Sequence, residues 1–240
     1  MTGQASPASL VELTGVGDER LVLDLYGSVL LPNFRPDEMI TEDDLVSSLR
    51  SGNCRITIAQ DAGGAVIGGI VGDWFPGSRV QLLSYIAVRP GVRGQGVGTS
   101  LLTTGISGWV ADLAPLLVIG EVEDPRHYHG TEFGDAIARM RLYERFGART
   151  LPVPYSQPAL RPGSARVPHL LLMVFAADPR ARLATGRVDG RVVSRFLTEY
   201  FASAEGPARP DDTELEAMLR ACSEPGGLPL LLAEDLGDLG

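Results

Sequence analysis

Val88 to Leu102 reads VRPGVRGQGVGTSLL, with glycine at 91, 94, 96 and 98 between an apolar run and a segment of helical spacing. Glycine tolerates left-handed backbone and lets a ligand approach the main chain closely. Upstream, VQLLSYIAV reads as an extended run; downstream, Leu101, Leu102, Ile106, Trp109, Val110 and Leu113 recur at the period of a helix. A strand running through glycines into a helix is a setting for anion binding, because the first N–H groups of the helix lack internal acceptors and its dipole adds positive potential. Two familiar forms do not apply. The dinucleotide fingerprint G-x-G-x-x-G is not matched by the alternation of Gly94, Gly96 and Gly98, and the phosphate loop of ATPases needs a lysine that this chain lacks altogether.

On the N-terminal side, SLVELTGV reads as a strand, DERLVLDLYGSVLLPNF as a helix behind an Asp18 cap, and DEMITEDDLVSSLRSG as a second helix ending at Gly52. CRITIAQ and AVIGGIVGDWF flank DAGG as a hairpin. On the C-terminal side, PLLVIGEVE is a largely apolar strand and DPRHYHGTEFG a polar loop. DAIARMRLYERFG is an amphipathic helix stopped at Gly147, and RTLPVPYS and HLLLMVFA are two further strands. The pattern is α/β with a mixed sheet. Beyond Ala177 the periodicity turns helical: VDGRVVSRFLTEYFAS behind an Asp189 cap, the linker EGPARPDD, DDTELEAMLRACS, and an acidic tail, LLLAEDLGDLG, with no clear assignment.

The chain has 240 residues, 44% hydrophobic and 21% charged, as in a soluble globular protein with a sizeable core. No run approaches the roughly 18 apolar residues of a membrane span, and MTGQASPASL lacks the basic-then-apolar order of a signal peptide, so a cytoplasmic location with no membrane partner is expected. A net charge of −9 argues against nucleic acid and suits a cationic small substrate. Cys54 and Cys222 have no metal-ligand spacing and read as thiols in a reducing compartment; no metal is expected.

Arg93-Gly94-Gln95-Gly96-Val97-Gly98 matches the pattern R/Q-x-x-G-x-G/A, and with its flanks, YIAVRPGVRGQGVGTSLL, the sequence resembles the GNAT family of acyl-CoA-dependent N-acetyltransferases. The resemblance implies a GNAT fold: a central mixed, mostly antiparallel sheet of six to seven strands flanked by helices, here with extra C-terminal helices. It implies that Arg93, Gly94, Gln95, Gly96, Val97 and Gly98, with Thr99 at the helix start, contact the pyrophosphate of acetyl-CoA, the cosubstrate. It also implies that main-chain amides around Ile86, Ala87 and Val88 hold the thioester carbonyl and pair with pantetheine. ARMRLYERFGART looks like the family's A-x-x-L-Y-x-x-x-G-F helix, with Ala148 where the phenylalanine is usual. The likeness covers residues 1–177 as an acetyltransferase domain; 178–240 is then a helical extension, packed on that core or at an interface, in a monomer or homodimer.

Amine acetylation needs a neutral nucleophile, a held carbonyl and a proton for the departing thiolate. Tyr143 stands where the family places the general acid, although its spacing equally suits packing beside Met140 and Phe146. QLLSYIAV lacks the carboxylate that many relatives carry, so the base is sought at Glu121 and Glu123, which at i and i+2 share one face of a strand end, or else are solvated charges. His127 and His129 form H-x-H, a poor metal signal and either a loop contact to substrate or a surface pair. Phe34 and Trp74 fall in segments that line the acceptor side in relatives, or are core aromatics. The resemblance implies acetyl transfer to a primary amine of a small, cationic molecule, directly in a ternary complex. The alternatives are a non-catalytic acyl-CoA binding module, and an acyltransferase with another acyl donor or a protein acceptor.

Overall fold

The run before the glycines is a central strand of an eight-stranded sheet in a computed structural model that describes residues 8–15, 17–128 and 135–236. The strands are β1 (Ser9–Leu13), β2 (Cys54–Gln60), β3 (Val66–Phe75), β4 (Val80–Val88), β5 (Leu117–Glu123), β6 (Arg149–Thr150), β7 (Tyr155–Gln157) and β8 (Val167–Ala177). Their order is β1-β2-β3-β4-β5-β8-β6, with β7 also on β8, and every pairing is antiparallel except β4 with β5. The sheet is therefore mixed and mostly antiparallel, with one strand more than expected. RTLPVPYS supplies two strands instead of one, because Pro152 and Pro154 remove ladder donors between β6 and β7.

Among the described residues, six α-helices cover the sheet: α1 (Glu19–Leu25), α2 (Glu42–Arg50), α3 (Val97–Leu113), α4 (Ala136–Phe146), α5 (Gly190–Glu205) and α6 (Thr213–Cys222). On one face, Leu101, Leu102, Ile106 and Trp109 of α3 and Met140 and Tyr143 of α4 pack with Ile70, Leu83, Val118 and Phe175. The opposite face is divided. Val22, Leu25, Leu45 and Leu49 of α1 and α2 cover Ile56, Ile58 and Val71, while Phe196, Leu197 and Met218 of α5 and α6 cover Leu82, Leu117, Ile119 and Leu172.

Three local readings change. Asp18 precedes α1 but makes no side-chain cap, since its carboxylate accepts instead from the Thr14 N–H at 2.7 Å. The second helix starts only at Glu42, with Thr41 accepting from the Asp44 N–H at 3.1 Å, while Pro36–Glu38 forms a separate single turn. The tail is tied down: Leu231 exchanges two backbone hydrogen bonds with Thr150, at 2.8 and 3.0 Å, and the Ala233 N–H donates to Glu144 of α4 at 2.8 Å. Gly147 ends α4 with φ of 104°, and Ala148, which replaces the usual phenylalanine, is fully buried behind it. No described helix is long and apolar enough to cross a membrane.

Candidate active site

The parallel pair β4–β5 is registered only from Val80–Leu117 to Leu83–Gly120; beyond it the strands part. The cause lies one strand away. Between β3 and β4 the register slips, with Val71 opposite Tyr85 and Gly72 opposite Leu83, so Ser84 is an extra residue and β4 bends at a bulge. Ser84 is held there by its hydroxyl, which donates to Asp73 at 2.5 Å. The parting strands open a cleft of about 480 Å³, with Ser84, Ile86, Ala87 and Val88 on one wall and Gly120, Glu121 and Val122 on the other.

At one end of the cleft lie Arg93, Gly94 and Gly98. Gly94 and Gly96 have φ of 83° and 80°, left-handed backbone that a β-branched residue adopts only under strain, and Gly96 caps the first turn of α3. A Cβ at either glycine would meet no protein atom within 4 Å, so this backbone faces open space. Arg93 donates from its guanidinium to the Asn33 side-chain oxygen, and Asn33 donates in turn to Val29 O at 2.6 Å and Val88 O at 3.4 Å. A helix N-terminus, an anchored arginine and unobstructed amides fit a pyrophosphate, and the divergent strand edges fit an extended pantetheine chain.

The cleft is also lined by Glu121 from β5 and Tyr143 from α4. Their environments differ. Tyr143 packs edge-on against Phe175, ring centres 5.1 Å apart, burial raises its pKa, and its hydroxyl has no hydrogen-bond partner among the described residues. The Glu121 carboxylate accepts from the Tyr155 hydroxyl, from Gln157 Nε2 at 2.9 Å and from the Tyr200 hydroxyl at 3.4 Å. Burial outweighs these three donors and pushes its carboxyl up to about 7. Glu121 therefore exchanges its proton near neutral pH, where a general base is effective.

The profile of the Acetyltransferase (GNAT) family matches residues 22–112, which take in the β3–β4 bulge, the glycine loop and α3. Over these residues the chain is similar to the GNAT family. A chain from Bacteroides thetaiotaomicron assigned to the GNAT acetyltransferases superposes with a TM-score of 0.53 at 22% identity, over 72% of this chain and 89% of that one, a likeness of fold. Spermidine/spermine N-acetyltransferase SpeG from Vibrio cholerae superposes with a TM-score of 0.46 at 16% identity, over 70% and 92% of the two chains. A comparison with curated protein sequences returns no match.

The cleft gathers Phe34, Ile86, Ala87, Val88, Arg93, Gly94, Gly98, Glu121 and Tyr143. Gln95, Gly96, Val97 and Thr99 are not among its lining residues; they lie in the loop and the first turn of α3, with the Val97 side chain buried in the α3 core. Glu123 does not share the space of Glu121, because it is drawn into an ion pair with Arg139 of α4 at 3.0 Å. Trp74 lies outside the cleft lining; its position on β3, two residues from Gly72, puts it on the α3 face, since a Cβ at Gly72 would meet Trp109. His127 stacks on His169, ring centres 4.0 Å apart, and lines a separate groove with Asp124 and Arg126. His129 lies outside the described residues.

Asn33, Ser84, Tyr155, Gln157, Tyr200 and Glu38 escape the sequence reading. Glu38 pairs with Arg35 at 2.8 Å, yet burial still raises its carboxyl, and it adds to the negative potential on Glu121. No repeat marks these six, which come from the segment between α1 and α2, from β4, from β7 and from α5. Among the described residues no group of His, Cys, Asp or Glu side chains could hold a metal ion. Cys54 and Cys222 are buried, their thiols pushed up to about 12, and neither lines the cleft.

Gly96→Val tests the loop. Forced from left-handed backbone, the amides turn away from the phosphates, and the KM for acetyl-CoA should rise by about tenfold or more with kcat little changed. Steady-state kinetics at varied acetyl-CoA checks this; an unaltered KM places the pyrophosphate elsewhere.

Proposed function

We propose that this protein is an acetyl-CoA-dependent N-acetyltransferase that acetylates a primary amine of a small, cationic molecule by direct transfer in a ternary complex. The observation that carries this reading is that Glu121, which exchanges its proton near pH 7, and the hydroxyl of Tyr143, which has no hydrogen-bond partner among the described residues, line one cleft that also takes in the glycine loop. When bound, acetyl-CoA supplies a thioester carbonyl and a thiol leaving group. Arg93 and the amides of Gly94 to Thr99 bind the pyrophosphate, and the main chain of Ile86 to Val88, free of β5, orients the pantetheine and the carbonyl.

Glu121 removes a proton from the incoming ammonium, leaving the amine lone pair free to attack. Tyr143 holds a proton at Oη, available to a departing sulfur; a phenol and a thiol have comparable proton affinities. Glu38, Glu121 and the net charge of −9 favour a cation at the acceptor end. No cysteine stands in the cleft to form an acyl-enzyme, which supports direct transfer.

The test is release of free thiol from acetyl-CoA in the presence of a panel of mono- and polyamines. Amine-dependent turnover is expected, with cationic amines preferred. Tight coenzyme A binding with no turnover on any amine would instead indicate a binding module.

A further inference from the structure

The three donors on Glu121 all come from outside the residues that match the GNAT profile: Tyr155 and Gln157 from β7, Tyr200 from α5. Tyr155 and Tyr200, both in the core that β8 and α5 share, reach the same carboxylate. Helix α5 is fixed in place. Its Glu199 carboxylate accepts from the N–H groups of Gly77 and Ser78, at 2.9 and 2.8 Å, which clamps the helix to the β3–β4 hairpin. The Tyr200 ring is wedged against Phe75 at 5.3 Å and Phe196 at 5.6 Å, so its hydroxyl has little freedom to turn elsewhere. Gln157 reaches Glu121 with Nε2 while its Oε1 is buried without a partner among the described residues, a cost accepted in presenting the N–H to the carboxylate.

We propose that Tyr155, Gln157 and Tyr200 are positioning residues that hold the Glu121 carboxylate in one orientation toward the acceptor, and that through Tyr200 the C-terminal extension is part of the active site. The proposal rests on Glu121 acting as the base. A carboxylate accepting from three fixed neutral donors keeps its remaining lone pairs aimed into the cleft, and each donor favours the charged form that takes the proton. Of the other titratable groups near this cluster, Glu38 from the turn before α2 opposes that form, while the charges of Glu121 and of Asp73 on β3 raise the phenols of Tyr85 and Tyr200 and keep those hydroxyls protonated. The neutral donors are thus the named groups that stabilise the basic state.

Tyr155→Phe and Tyr200→Phe, each retaining its ring and checked for an unchanged melting profile, test the proposal through the pH dependence of kcat/KM for the amine. In Tyr155→Phe the acid limb should move up by about one pH unit, and kcat at pH 7 should fall by about fivefold and recover toward pH 9. The KM for acetyl-CoA should not change. Tyr200→Phe, whose hydroxyl is farther from Glu121, should move the limb by a smaller amount in the same direction, and the double variant by more than either. If Glu121→Gln is inactive while the limb stays put in all three, the donors are structural only and the proposal is overturned. If Glu121→Gln turns over normally, the base reading itself falls, and the positioning role with it.

Discussion

Glu121→Gln should lower kcat by about 10² to 10⁴, the range that general-base removal costs, and should abolish the acid limb of the pH profile. With its carboxyl at about 7, Glu121 is mostly protonated at pH 6 and mostly ionised at pH 8, so wild-type kcat/KM climbs through neutrality as the base forms. The glutamine side chain has no such ionisation, and its residual rate should be flat over that interval. Stability should respond in the opposite sense. The Glu121 pKa is raised in the fold above the ordinary 4.5, so the native state holds a proton that the unfolded chain releases between those values. Its stabilising contribution is complete below the unfolded value and is lost as pH rises through about 7. Glu121→Gln removes that loss, and thermal melts at pH 8 should show a variant at least as stable as the wild type. An active variant with an unchanged acid limb would place the base elsewhere.

Tyr143→Phe should lower kcat by about 10² with little change in the KM for acetyl-CoA. The substitution is structurally mild, because the edge-on contact with Phe175 belongs to the ring and the hydroxyl has no hydrogen-bond partner among the described residues to lose. Burial raises the phenol above its ordinary 10, so Tyr143 stays protonated across the working range and should contribute no alkaline limb below about pH 10. Stopped-flow and steady-state thiol release in the two proteins separate the roles: equal turnover would mean that Tyr143 only fills the α4 stripe beside Met140.

The two variants also divide the cleft. Glu121→Gln acts on the acceptor side and should be sensitive to the pKa of the amine, since a weakly basic amine arrives already neutral. Tyr143→Phe acts on the leaving group and should be indifferent to it. A panel of amines of graded basicity therefore assigns each side chain to its half of the reaction.

The course of β4 into the glycines and α3 was legible because it is local: apolar alternation, left-handed turns and helical period act over a few neighbouring residues. Tyr143 and Gly147 were legible for the same reason, lying within one helix and its stop. Glu121 and Glu123 show the boundary. Their i, i+2 spacing places both on one face of β5, but Arg139 of α4 takes Glu123 into an ion pair and leaves Glu121 in the cleft. Trp74 and His127 were equally plausible from their neighbours, and are set apart by the α3 face and by stacking on His169.

What the chain's order of residues determined by itself is the strand–glycine–helix junction and the alternation of sheet and helix around it, since backbone preferences and periodicity need no distant partner. Tertiary structure alone decided which of the two carboxylates lines the cleft. Glu121 is set at about 7 by burial and by donors 34, 36 and 79 positions away, and no pattern along the sequence encodes such contacts until β7 and α5 are folded against β5.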